Sequence, residues 1–92
     1  AGHRLALTLS PRSYNAKVGL ALFCPITTQV KGYPFEVPFP PGLRTTGVIL
    51  ADQIKSLDWR ARRAKRFERA PREVMDEVIA KVLTLVADGS GG

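Results

Sequence analysis

Up to residue 70 the chain never lets an apolar run continue for long. LALTLS at 5–10, GLALFCPI at 19–26, YPFEVPF at 33–39 and GVILA at 47–51 are each closed by proline, glycine or a polar cluster. Runs of that length and flank read as strands, with Ser10-Pro11 supplying turn chemistry after the first. Pro34 and Pro38 cannot donate to a ladder, which sets Tyr33 to Phe39 at a sheet edge. Residues 12–17 read as a polar connection, and TTQVKG and PPGLRTTG as loops. A fifth strand is predicted near 64–69, after a short turn.

The C-terminal stretch has a different period. Pro71 suits a first helical position, and Glu73, Asp76 and Glu77 complement the positive end of a helix dipole. Met75, Val78, Ile79, Val82 and Leu85 or Val86 recur as one apolar face, and Asp88-Gly89 stops the helix. Five strands and one helix in 92 residues predict a mainly β, α+β fold, a small barrel or strongly bent sheet packed by a C-terminal α-helix. The expected organisation is a single domain over 1–88 followed by a flexible tail, 89–92. So small a chain buries a low fraction of its surface, and a partner subunit is expected to add stability.

Composition narrows the classes. No run reaches eighteen apolar residues and the first ten lack a basic-then-apolar order, so a soluble, cytoplasmic protein with no membrane span is expected. One cysteine and one histidine make neither an internal disulfide nor a zinc site. Cys24, inside an apolar run, reads as a small buried hydrophobe. Fourteen Lys and Arg against eight Asp and Glu leave a charge of +6, a surplus that suits a polyanion such as nucleic acid.

The residues also limit the chemistry. A two-histidine mechanism of RNA cleavage is excluded by the single His3. Five of the eight acids, Glu68, Glu73, Asp76, Glu77 and Asp88, lie in or beside the helical region, where they read as a solvated, dipole-complementing face rather than a metal site. Glycine-rich phosphate loops, GxSxG elbows and CxxC pairs are missing from the sequence. What remains is arginine, hydroxyls, lysines and isolated acids. Arginine holds its proton too tightly to be a good carrier, but its fork matches two phosphate oxygens and its charge persists. Arg4 precedes a predicted strand, and Thr27 and Thr28 follow one; if those strands are neighbours, a guanidinium and a hydroxyl could converge at one rim. From Lys55 to Arg69 seven positive residues and two negative ones surround Trp59 and Phe67. That run is either a solvated face or a groove that tracks single-stranded nucleic acid, and Trp59 is either a stacking platform or a structural anchor.

AGHR at 1–4, LSP at 9–11, YN at 14–15, CPITTQVKGYPFEV at 24–37, GVILADQIKSLDWRAR at 47–62 and the helix led by Ala70-Pro71 resemble the MazF/PemK toxins, mRNA interferases of type II toxin-antitoxin systems. The resemblance implies an SH3-like β-barrel with a C-terminal α-helix, assembled as a homodimer. It further implies sequence-specific cleavage of single-stranded RNA without metal or cofactor, in which the substrate's 2'-OH attacks the adjacent phosphorus and leaves a 2',3'-cyclic phosphate and a 5'-hydroxyl. The arginine of the family's GxRP segment falls on Arg4, which would stabilise transition-state charge and could shuttle a proton. The first hydroxyl of its ITxQ segment falls on Thr27, which would hold the phosphate. His3, Thr28, Gln29, Lys31 and Lys55 are the implied RNA-binding residues. The implied protein partner is a MazE-like antitoxin whose acidic, disordered tail would fold across the basic surface.

Two departures accompany the resemblance. Leu5 stands where the family has proline. The family's opening strand and loop, GDxxWVDFDP and a G-EQ region, have no counterpart in these residues, nor does an acidic residue given a proton-transfer role in some members. The expectation is an exposed sheet edge, in a fragment or in a protein that has lost the segment. The rival reading is a non-catalytic barrel that binds an antitoxin or a protein target, as the gyrase-poisoning CcdB proteins do.

Overall fold

The computed structural model describes residues 5–63, 65 and 67–87. In chain order they form β1 (Ala6–Thr8), α1 (Arg12–Val18), β2 (Leu20–Thr27), β3 (Glu36–Pro38), β4 (Val48–Leu50), β5 (Lys55–Asp58) and α2 (Arg72–Ala87). All pairing is antiparallel, and the mainly β, α+β expectation holds.

β2 organises the sheet because its stretches meet different partners. One edge takes β1, with Leu7 opposite Cys24. The other takes β5 along Leu20 to Phe23 and then β4 at Ile26 and Thr27. Leu9 N–H donates to the Leu22 carbonyl at 2.8 Å and Ile26 N–H to the Leu5 carbonyl at 3.2 Å, so even-numbered residues of β2 direct their polar groups to β1. The odd-numbered ones, Pro25 included, face β5 and β4. Pro25 therefore lacks its N–H at the seam where β5 pairing has ended and β4 pairing has not begun, the one stretch of that edge with no ladder bond to lose. β3 pairs with β4 and closes one side of the sheet, so the proline-marked segment does lie at an edge.

The core follows from this register. Leu7 faces Cys24, Ile26 faces Ile49, and Ile49 faces Val37. Together with Ala51 they pack on Val74 and Val78 of α2. Ile49, Val37, Val78 and Cys24 are fully buried, and truncating one of the larger three to alanine costs on the order of 2–4 kcal/mol. Lys81 Nζ donates to the Pro34 carbonyl at 2.7 Å, which ties α2 to the entry of β3.

Several expectations need correcting. The segment 12–17 is helix α1 and not an open connection. Its own residues bury nothing, and it is anchored both locally and from afar: Ser10 Oγ donates to Asn15 Oδ1 and accepts Leu22 N–H, and the distant Trp59 Nε1–H donates to the Asn15 carbonyl at 2.9 Å. The fifth strand is Lys55–Asp58, and none of the described residues of 64–69 is in a strand. Pro71 caps α2, its carbonyl accepting the Val74 and Met75 N–H groups, so the helix starts one residue later. The buried stripe of α2 is rotated toward Val74: Met75, Val78 and Val82 pack inward with it, while Ile79, Leu85 and Val86 are exposed. Glu68 is more than a solvated acid beside the helix, since its carboxylate accepts the Arg44 and Thr45 N–H groups and the Thr45 hydroxyl at 3.0, 2.9 and 2.7 Å. Asp88 and the tail 89–92 lie outside the described residues.

Candidate functional site

Thr27 is the last residue of β2, half-buried and opposite Val48. Its Oγ1 accepts the Gln29 N–H at 3.0 Å, a local turn that threonine makes readily. A hydroxyl has one proton and two lone pairs, so accepting that bond leaves the Thr27 proton available to an incoming oxygen. Thr28, Gln29, Val30 and Lys31 follow as an exposed loop.

The loop is held from beneath. Glu36, at the start of β3, is buried, and its two carboxylate oxygens accept the Lys31 N–H at 2.9 Å and the Gly32 N–H at 2.8 Å. The Tyr33 hydroxyl donates to Asp52 Oδ1 at 3.1 Å. Burial raises the Tyr33 phenol above its ordinary value, and the Asp52 hydrogen bond and charge raise it further. The segment that carries Gln29 and Lys31 is thus a fixed hoop on the strand end.

β1 and β2 are neighbours, as convergence of Arg4 with Thr27 requires. Leu5, the first described residue, stands opposite Ile26, so the chain enters β1 beside the Thr27 end of β2. His3 and Arg4 themselves lie outside the described residues. Lys55 opens β5 opposite Phe23 and is exposed. Four positions separate Phe23 from Thr27, about 13 Å along the strand. Thr27, Thr28, Gln29 and Lys31 are brought together, and Lys55 stands apart from them. Among the described residues no three His, Cys, Asp or Glu side chains gather as a metal-ligand set.

Of the two readings of Trp59 the structure favours the anchor. Its indole N–H is taken by Asn15, and Arg60 lies 4.9 Å from its ring while donating to the Ala16 carbonyl. Arg44 is likewise committed, 4.1 Å from the Phe67 ring centroid. Arg62, Arg63, Lys65 and Arg69 are exposed. Glu36 was missed by sequence reasoning, although an acid between Phe35 and Val37 in an otherwise apolar edge segment is a signal that something must satisfy it.

Comparison with known proteins agrees with this geometry. The sequence matches the family described as PemK-like, MazF-like toxin of type II toxin-antitoxin system over residues 1–86. It is 49% identical to the endoribonuclease toxin MazF of Escherichia coli K12 over 86 residues, covering 94% of this chain and 77% of that protein. It is 32% identical to the endoribonuclease PemK of Escherichia coli, covering 92% of this chain and 67% of that one. A crystal structure of MazE-MazF from Deinococcus radiodurans superimposes with a TM-score of 0.90 at 50% identity, covering 94% of this chain and 84% of the other. The shared sheet, the strand-end loop and these identities have one conclusion: the chain belongs to the PemK-like, MazF-like toxins of type II toxin-antitoxin systems.

Proposed function

We propose that this protein is an endoribonuclease toxin that cleaves single-stranded RNA in a sequence-specific manner and without metal, and that an antitoxin neutralises it. The observation that carries the reading is the 49% identity to an endoribonuclease toxin across 94% of the chain. The geometry supports it with an exposed hydroxyl at a strand end beside the entry of β1, on a chain of charge +6.

In the proposed reaction the substrate's 2'-oxygen bonds to the adjacent phosphorus, the bond to the 5'-oxygen breaks, and a 2',3'-cyclic phosphate and a 5'-hydroxyl result. One proton leaves the 2'-oxygen and one arrives at the 5'-oxygen. Thr27 donates its free proton to a non-bridging phosphate oxygen. Arg4, covalently next to Leu5 and hence to the β1 end beside Ile26, stabilises the charge that builds on phosphorus-bound oxygens. Thr28, Gln29 and Lys31 contact RNA from the loop, with His3 at the chain's start and Lys55 farther along the sheet. The antitoxin partner is supported by the MazE-MazF structures, and an acidic disordered tail suits the basic surface. A homodimer is supported by Ile79, Leu83 and Val86, spaced along α2 and exposed, and the cytoplasm is its proposed location. Among the described residues no helix is long and apolar enough to cross a membrane. The non-catalytic, CcdB-like alternative is not favoured, because the relatives at 49% and 32% identity are endoribonucleases.

The test compares the parent with Arg4→Ala and Thr27→Val in cleavage of a long single-stranded RNA. Loss of Thr27's donor is expected to slow cleavage by about 10²-fold, as for other single donors to a developing oxyanion, and loss of Arg4 to abolish it, with the far-UV spectra unchanged. Variants that cut as fast as the parent would remove both residues from the mechanism.

A further inference from the structure

Gly47 stands one residue before β4, next to the Val48 and Thr27 pair. Its carbonyl accepts the Phe39 N–H at 3.2 Å. The other side of the residue is closed by β2: a Cβ on Gly47 would overlap the Thr27 carbonyl oxygen, and would stand 2.9 Å from the Thr27 carbonyl carbon and 3.2 Å from Thr28 Cα. All three are backbone atoms, which cannot swing aside as the tip of a side chain can. The strand that carries Thr27 therefore ends against a bare Cα, a close approach that only glycine permits.

The geometry points to Gly47 as a positioning residue for RNA cleavage, an inference that rests on the assignment of Thr27 as phosphate donor. Its missing side chain lets the Thr27-Thr28 backbone turn at contact distance. That turn sets where the Thr27 hydroxyl stands and where the Gln29 N–H meets it. A methyl group at position 47 would push the Thr27 carbonyl away from β4, and would displace with it the hydroxyl two bonds from the same Cα. Gly47 touches no substrate, so its effect would fall on the chemical step and little on RNA binding.

Gly47 also has φ +101, a conformation that alanine adopts only under strain, so loss of stability alone would not distinguish positioning from folding. Gly42 supplies the control. It has φ +96, and a Cβ there meets nothing within 4 Å. Gly42→Ala carries the backbone strain without the collision.

The experiment measures RNA cleavage at saturating and limiting substrate for the parent, Gly47→Ala and Gly42→Ala, together with the backbone amide spectra of Thr27, Thr28 and Gln29. For Gly47→Ala the expected result is a kcat lower by about 10-fold or more, since a misplacement near 1 Å can cost 10²-fold, with KM little changed and the three amide signals displaced. Gly42→Ala is expected to keep the parental kcat and the parental amide signals, even where both variants melt earlier. Equal losses in the two variants, or an unchanged kcat in Gly47→Ala, would overturn the inference. If the parent itself cuts no RNA, the proposed function fails and the positioning role for cleavage fails with it; if the parent cuts RNA and Gly47→Ala keeps its kcat, the positioning role alone is overturned.

Discussion

Thr27 shows how far single residues can be read in a sequence. The break from GLALFCPI into ThrThrGln marks a strand end, and the strand does end there, with the hydroxyl turned onto the Gln29 N–H. Cys24 was equally legible, because a lone thiol within an apolar run has little to do but pack. It is fully buried, and desolvation, with Asp52 adding to it, pushes its thiol up to about 11. Native protein at neutral pH is therefore expected to resist iodoacetamide, and the same protein in denaturant to react at the ordinary rate of a free thiol. Rapid native labelling, followed by mass spectrometry, would contradict the packing described. Glu36 and Glu68 were less legible: each is satisfied mainly by backbone N–H groups, and those of Glu68 come from a loop 23 or 24 residues away.

At the scale of elements, what could be read was what is locally encoded. The β2 and β4 runs and the α2 period are carried by their own residues. α1 is not, since it buries none of its residues and is held by Trp59 and Arg60, each bonded to it across 44 positions. β5 was invisible for a related reason, because LysSerLeuAsp has one apolar residue and becomes a strand only by lying against Leu20 to Phe23. The rotated face of α2 reflects an ambiguity that periodicity leaves open, because apolar residues surround much of that helix. Two acidic clamps give predictions at this scale. Glu36→Ala is expected to speed amide hydrogen exchange at Lys31 and Gly32 and to cost on the order of 1–3 kcal/mol, the range for bonds to a charged acceptor; unchanged protection at those two amides would mean the loop is held otherwise. Glu68 has its carboxyl lowered below the ordinary value, first by the Arg44 N–H and then by the Thr45 hydroxyl. A group with a depressed folded value stabilises the fold above its unfolded pKa and loses that contribution as pH falls through the folded one. Acid titration of the melting temperature should therefore show a decline that Glu68→Gln flattens, and identical slopes in the two proteins would contradict the clamp.

At the scale of the whole molecule, net charge and the strand-end site contribute separately. A +6 chain exposes arginines and lysines between β5 and α2, and β2 carries a hydroxyl at its end, beside Leu5. Charge of that kind attracts RNA of any sequence, while the chemistry depends on a few groups held in place, as the fixed loop after Thr27 provides. The fold class followed from short apolar runs and a single helix, whereas the place of Pro25 between the β5 and β4 pairings did not, because it depends on which strand lies on which edge. The central claim is that this sheet carries out metal-free transesterification of RNA. Its most direct test is to incubate the purified protein with a long single-stranded RNA in chelator, map both new termini, and take the intact protein mass from the same tube. Cuts at a recurring short sequence, with 2',3'-cyclic phosphate and 5'-hydroxyl ends, are expected. Intact RNA beside protein of the correct mass, or cuts that leave a 5'-phosphate, would contradict it.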